Sequence, residues 1–271
     1  MPAPVGIFDS GLGGLSVWKE VVKLLPHCST VYVSDNAYCP YGPRPAEEVI
    51  ERTKVISRFI IQERCSVIVV ACNTATAAAI DALRQTFSIP FVGMEPAVKP
   101  AVLHSKSGVV GVLATRGTFK GRLYQETTHR FAADVQVLEQ VGDGLVELIE
   151  QGLTNAPQTL QLLRTYIEPM MEAGADHLVL GCTHYPFLIP AIRSITGERM
   201  AIIDPAPAVA RQLCAVLEQT QGRDAAFDPL SGDSPRYKFY STGDIAALKS
   251  CYYAITQNYD NSEFFSCFQI R

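Results

Sequence analysis

The chain has 271 residues, 48% of them apolar and 18% charged, which is ample for a buried core and too apolar for a disordered segment. Acidic residues outnumber basic ones, 27 to 23, for a net charge of −4 with no run of Lys or Arg, so neither nucleic acid nor an anionic membrane surface is an expected partner. The start, MPAPVGIFDSGLGG, has no positive n-region or long apolar h-region, and the longest apolar stretch, Val67–Cys72, is far too short to span a bilayer. A cytoplasmic protein is expected, with its 8 cysteines, which form no CxxC, held as thiols.

Short apolar, β-branched runs predict strands at Val5–Phe8, Thr30–Val33, Val67–Val70, Phe91–Val92, Val109–Leu113, Val135–Leu138, Leu178–Leu180 and Ala201–Ile203. Between them lie helical patterns. One starts at Pro45, carries Glu47 and Glu48 in its first turn and points Val49, Ile56 and Ile60 at a core. Another takes Asn155 as N-cap and Pro157 just inside, with Leu160, Leu163, Ile167 and Met170 on one face. A strand at Arg236–Tyr240 and a helix after Gly243 follow, and Gln221–Pro235 reads as loop. The alternation predicts an α/β fold with parallel sheets and ligands at the carboxyl ends of the strands.

The sequence also repeats. VGIFDSG from Val5 is similar to VGVLATRG from Val110, VIVVACNT from Val67 to HLVLGCTH from His177, and EPAV from Glu95 to APAV from Ala206. The offsets, 105, 110 and 111 residues, are nearly one value. Two similar α/β halves related by a pseudo-twofold axis are therefore expected, with a site in the cleft between them. The expected division is 1–95 plus 208–271 for the first domain and 96–207 for the second.

Each half then places one cysteine just after a buried strand, Cys72 and Cys182, ahead of residues that favour a helix start: Asn73-Thr74 and Thr183-His184. A helix N-terminus favours a thiolate, and also a substrate carboxylate. Two thiols converging from opposite sides on one tetrahedral carbon suit proton removal from one face and proton return to the other. Asp9-Ser10, Asp35, Thr115 and Thr118 also end strands. They would supply hydroxyls and backbone N–H groups for carboxylates, and carboxylates for an ammonium. Asp9 is a candidate to tune Cys72, and His184 to tune Cys182.

Other readings compete. Gly11-Leu12-Gly13-Gly14 after a strand is similar to a dinucleotide fingerprint, but Ser16 stands where the third glycine belongs. A zinc site from His177, Cys182 and His184 lacks standard ligand spacing. A Cys182–His184 nucleophilic hydrolase would leave Cys72 unexplained, and a pure binding module of two α/β halves predicts ligand binding with no solvent exchange at the ligand's α-carbon.

Taken together, FDSGLGGLSV (Phe8–Val17), CPYG (Cys39–Gly42), VACNTATA (Val70–Ala77), GMEPAVKPA (Gly93–Ala101), LATRGT (Leu113–Thr118) and GCTHYPFL (Gly181–Leu188) resemble the bacterial glutamate racemases of the aspartate/glutamate racemase family. The resemblance implies cofactor-independent interconversion of L- and D-glutamate, with no metal and with D-glutamate passing to peptidoglycan. Aspartate racemisation is the nearest alternative. It implies Cys72 as the thiol for D-glutamate and Cys182 as that for L-glutamate, with Asp9, His184 and Glu150 assisting. It further implies Asp9, Ser10, Tyr41, Gly42, Asn73, Thr74, Thr115, Thr118, Thr183 and His184 as substrate-binding residues, and a homodimer as the possible assembly. Three features depart from the pattern. Pro45 stands where Ser or Thr is expected, Trp18 is large for its place, and the aromatic tail Cys251–Arg271 matches nothing. The chain lacks the N-terminal extension of members that need a cell-wall precursor as activator, so dependence on one is not expected.

Overall fold

The computed structural model describes residues 3–95, 97–221, 235–256 and 264–267. Two sheets, every pairing parallel, carry the chain. The first has six strands in the order β10-β9-β2-β1-β3-β4, from β1 (Val5–Asp9), β2 (Thr30–Ser34), β3 (Val67–Val70), β4 (Phe91–Gly93), β9 (Tyr237–Ser241) and β10 (Phe264–Cys267). The second has four in the order β6-β5-β7-β8, from β5 (Val109–Ala114), β6 (Gln136–Val141), β7 (His177–Gly181) and β8 (Ala201–Ile203). The segment β2-β1-β3-β4 and the whole second sheet thus have the same strand order. The sequence repeat is a structural repeat.

Side-chain alternation sorts the core onto both faces of each sheet. Ile7, Tyr32, Val67 and Val69 pack on one face of the first sheet, and Phe8, Val31, Val33, Ile68 and Val70 on the other. Leu113, Leu178 and Leu180 oppose Val110, Val112 and Val179 in the second. Burial on both faces is why these strands read as unbroken apolar runs.

The two halves exchange helices. The helix after β4, Val98–His104, packs on β5 and β7 of the second sheet. The helix after β8, Ala206–Gln221, packs on β4 and on the first helix, Leu15–Leu24.

Most strands lie within two or three residues of their expected ends, and β10 was not anticipated. The helix Ala46–Gln62 has Pro45 at its N-cap without a side-chain bond, and it buries Val49, Ile56 and Ile60 as expected. The helix Pro157–Glu172 is capped at Ala156, not Asn155: Pro157 already sits at the first helical position. Trp18 fits because β9 and the helix Ile245–Thr256 enclose it. Its ring lies 5.4 Å from Tyr237, 5.3 Å from Phe239 and 5.3 Å from Tyr252, and its indole N–H donates to Thr30 Oγ1 at 2.9 Å. Phe265 stacks on Phe239 at 4.9 Å, so this part of the tail serves its own core. Tyr259, Phe268 and most of the expected loop Gln221–Pro235 lie outside the described residues. Among the described residues no helix is long and apolar enough to cross a membrane.

Candidate active site

The carboxyl ends of β1, β3, β5 and β7 meet at one small cavity. Its wall is Ser10, Pro40, Tyr41, Gly42, Cys72, Asn73, Thr74, Thr115, Val146, Cys182, Thr183 and His184, and its volume is about 10 Å³, enough for about one water. Cys72 from the first half and Cys182 from the second are both in that wall, 4% and 6% exposed. A cavity of about 640 Å³ lies at the two crossover segments, beside Gly93, Lys99, Pro205 and Val209, and contains neither thiol.

Cys72 is the N-cap of the helix Asn73–Thr86, and its sulfur accepts from the Ala75 N–H at 3.5 Å. The dipole argument alone would predict a thiolate. Burial outweighs it: desolvation, then the neighbouring Asp9 charge, push the Cys72 thiol well above its usual pKa of 9.0. The thiol proton points to Ser10 Oγ, 3.8 Å away. Asp9 ends β1 fully buried, and Oδ2 accepts from the Gly11 and Gly14 N–H groups at 3.2 and 2.9 Å. Its Oδ1 accepts from the Thr183 hydroxyl at 3.4 Å. Burial raises the Asp9 carboxyl despite these bonds and the His184 charge.

Cys182 differs. No α-helix starts on it; a 3₁₀ turn, Tyr185–Leu188, precedes the helix Ile189–Thr196. Its partner is a side chain, His184, whose Nδ1 is 3.8 Å from Sγ. His184 Nε2 is 2.6 Å from Glu150 Oε1, which also accepts from the Leu12 N–H at 2.7 Å. Gly13 N lies 3.2 Å from the same Nε2. A nitrogen that gives its proton to a carboxylate at 2.6 Å cannot also accept one, so the Glu150 bond prevails and Nε2 carries a proton. Burial would lower the His184 pKa; bonds to Cys182, Cys39 and Glu150 overcome it and hold the ring well above 6.5. Burial likewise opposes ionisation of Glu150, yet His184 first, then Leu12 and Cys39, keep its pKa below 4.5.

The remaining expected residues divide into wall and support. Asn73 is 3% exposed, and neither its amide nitrogen nor its oxygen has a hydrogen-bond partner. Such an orphaned buried amide is costly unless a ligand satisfies it. Thr74 and Thr115 share a 2.9 Å hydroxyl contact. Thr118 stands behind the wall, 3.0 Å from Thr115 Oγ1 and donating to the Gly181 carbonyl at 3.3 Å. Asp9 and Glu150 are likewise behind the thiols and outside the wall. The Tyr41 hydroxyl donates to Asp35 at 2.5 Å, so Tyr41 offers the cavity its ring and backbone. Asp35, expected to be open to an ammonium, is occupied by Tyr41, Thr242 and the Arg52 guanidinium, with Arg52 Nη2 at 2.6 Å from Oδ1.

The Asp/Glu/Hydantoin racemase family profile matches residues 13–213. A glutamate racemase of Ectopseudomonas mendocina is 47% identical over 249 residues, 92% of each chain. The chain belongs to the aspartate/glutamate racemase family. Solved members share the fold. A Bacillus anthracis glutamate racemase, isoform RacE1, has a TM-score of 0.86 at 31% identity over 99% of this chain and 98% of that one. The Escherichia coli glutamate racemase, in complex with L-glutamate and the activator UDP-MurNAc-Ala, has a TM-score of 0.82 at 32% identity over 100% of both.

Within this family fold the glycines of GLGG have a specific purpose. A Cβ on Gly13 would stand 2.3 Å from His184 Nδ1, and one on Gly11 would stand 2.0 Å from Glu150 Oε1. The turn is bare so that the racemase's own His–Glu pair can approach it, which leaves no place for a dinucleotide pyrophosphate. His177 lies at the opposite end of β7 from Cys182, so the three-residue zinc set fails on distance as well as spacing. Cys39 was missed: its Sγ is 3.6 Å from Glu150 Oε1. Its place in CPYG beside Tyr41 was the available signal. Pro40 and Val146 were missed as wall residues, and nothing in their types marks them.

Proposed function

We propose that this chain interconverts L- and D-glutamate, without cofactor, by proton transfer between two thiols on opposite faces of the α-carbon. The observation that carries the reading is the cavity wall: one buried thiol from each half, each backed by its own acid–base group. In this reading Cys182, with the Glu150–His184 pair behind it, takes the proton of L-glutamate, and Cys72, beside Asp9, returns one to give D-glutamate. The reverse direction exchanges the roles. The substrate ammonium, brought beside the Cys72 thiol that burial holds protonated, favours its thiolate and starts the transfer from D-glutamate.

Asn73, Ser10, Thr74, Thr115, Thr183 and the Tyr41-Gly42 backbone would bind the carboxylates and the ammonium; the unpaired Asn73 amide supports this set. Thr118 would act through Thr115, and Asp9 and His184 through the thiols. D-Glutamate then supplies peptidoglycan. The division into 1–95 plus 208–271 and 96–207, a cytoplasmic location and a homodimer belong to the same proposal. The location is in keeping with eight free thiols, and light scattering decides the dimer.

The test is incubation of each glutamate enantiomer, and of aspartate, in heavy water with untreated and chelator-treated enzyme. Glutamate of inverted configuration carrying one deuterium at the α-carbon, unaffected by chelator, is expected. Inversion of aspartate alone, chelator-sensitive turnover, or a covalent acyl adduct on a single cysteine would overturn the reading.

A further inference from the structure

Behind Cys182 the fold assembles a second set of chemically potent atoms. The Cys39 sulfur, a Glu150 carboxylate oxygen and a His184 ring nitrogen all lie within 4.8 Å of one another, with Sγ–Oε1 at 3.6 Å and Oε1–Nε2 at 2.6 Å. A thiol, a carboxylate and an imidazole are the donor types of tetrahedral zinc sites. At the usual lengths, about 2.3 Å to sulfur and about 2.0 Å to nitrogen or oxygen, a tetrahedral ion holds sulfur and oxygen about 3.5 Å apart. Cys39 and Glu150 already stand near that separation, at 3.6 Å, and the His184–Glu150 contact has to open by roughly 0.7 Å.

As ligands, a thiolate and a carboxylate bring two negative charges and a neutral imidazole none, so a divalent ion leaves the buried site neutral. The Leu12 N–H, 2.7 Å from Oε1, stays as an outer support for the carboxylate.

We infer that Cys39, Glu150 and His184 form an inhibitory site for a borderline divalent cation, Zn²⁺ foremost. Binding joins the Cys39 loop of the first half to Glu150 and His184 of the second. It also removes from His184 the Nε2 proton that links the ring to Glu150. The inhibitory consequence rests on the racemase reading; binding itself does not.

The binding test uses Co²⁺ as a spectroscopic stand-in for zinc, added to the intact chain, to Cys39→Ser and to the double variant Cys72→Ala/Cys182→Ala. One tetrahedral cobalt per chain, with a thiolate-to-metal charge-transfer band, is expected for the intact chain and for the double variant. Cys39→Ser should lose the band and bind more than about 100-fold more weakly, because even outer-shell changes cost 10–100-fold. No binding to the intact chain, or a band kept in Cys39→Ser and lost in the double variant, overturns the site. In a separate assay Zn²⁺ should inhibit glutamate inversion by the intact chain, reversibly by chelator, and far less in Cys39→Ser. Equal inhibition of both would overturn the inhibitory role even where cobalt binds.

Discussion

Cys72 and Cys182 are equivalent by repeat but sit in unlike surroundings. Cys72 has a helix N-terminus and a buried, hard-to-ionise Asp9; Cys182 has an imidazolium held by a carboxylate. Replacing either thiol by alanine should lower glutamate inversion by about 10²–10⁴-fold, the usual worth of one positioned acid–base group. Assays in both directions check it; retained activity in either variant would break the two-thiol scheme. The Glu150–His184 pair also makes stability depend on pH. Glu150 has its folded pKa below 4.5, so its contribution is present above 4.5 and is lost as pH falls through the folded value. His184 has its folded pKa well above 6.5, so its contribution is complete below 6.5 and is lost only as pH rises through that higher value. The two coexist from 4.5 upward past 6.5. The melting-temperature gap between the protein and Glu150→Gln should therefore be widest at near-neutral pH and narrow on acidification below 4.5; a gap constant with pH would refute the ion pair. At this scale residue types after strands were legible, since strand ends follow from apolar runs. Protonation was not: the helix-start argument for Cys72 pointed to a thiolate, and desolvation reversed it.

At the scale of elements the strand-to-helix turn Gly11–Gly14 shows how tightly the two halves meet. Its N–H groups bind Asp9 of its own half and Glu150 of the other, and Ser16 just beyond donates to the Thr183 carbonyl at 2.9 Å. Gly13→Ala would push a methyl into the His184 ring, an overpacking that costs typically 1–3 kcal/mol. Urea titration should show that loss, and inversion from L-glutamate should fall with it. Unchanged stability and activity would mean that the turn is not seated on His184. The sequence read this turn as a broken dinucleotide fingerprint because bare glycines look alike whether a phosphate or a histidine approaches them. The cap of Pro157–Glu172 was misplaced to Asn155 for a similar reason: one residue of offset changes no composition signal, only a backbone angle.

For the whole molecule the size of the cavity matters. At about 10 Å³ it is smaller than a dicarboxylic amino acid, so its wall has to widen for glutamate to enter. Capture of substrate, read as kcat/KM, should fall with added viscosogen. Independence of viscosity, with a substrate known not to be limited by chemistry, would mean that the site fills without opening.

Apolar runs, their spacing and the duplicated segments determined two parallel α/β halves and a cysteine at one strand end of each, because burial periodicity and chain order are local properties. The approach of Glu150 to Leu12 and of Cys39 to Glu150, and the charge on His184, were decided only by tertiary structure. They depend on how far water is excluded and on which groups from distant segments share the space, and neither is written in any one stretch of chain.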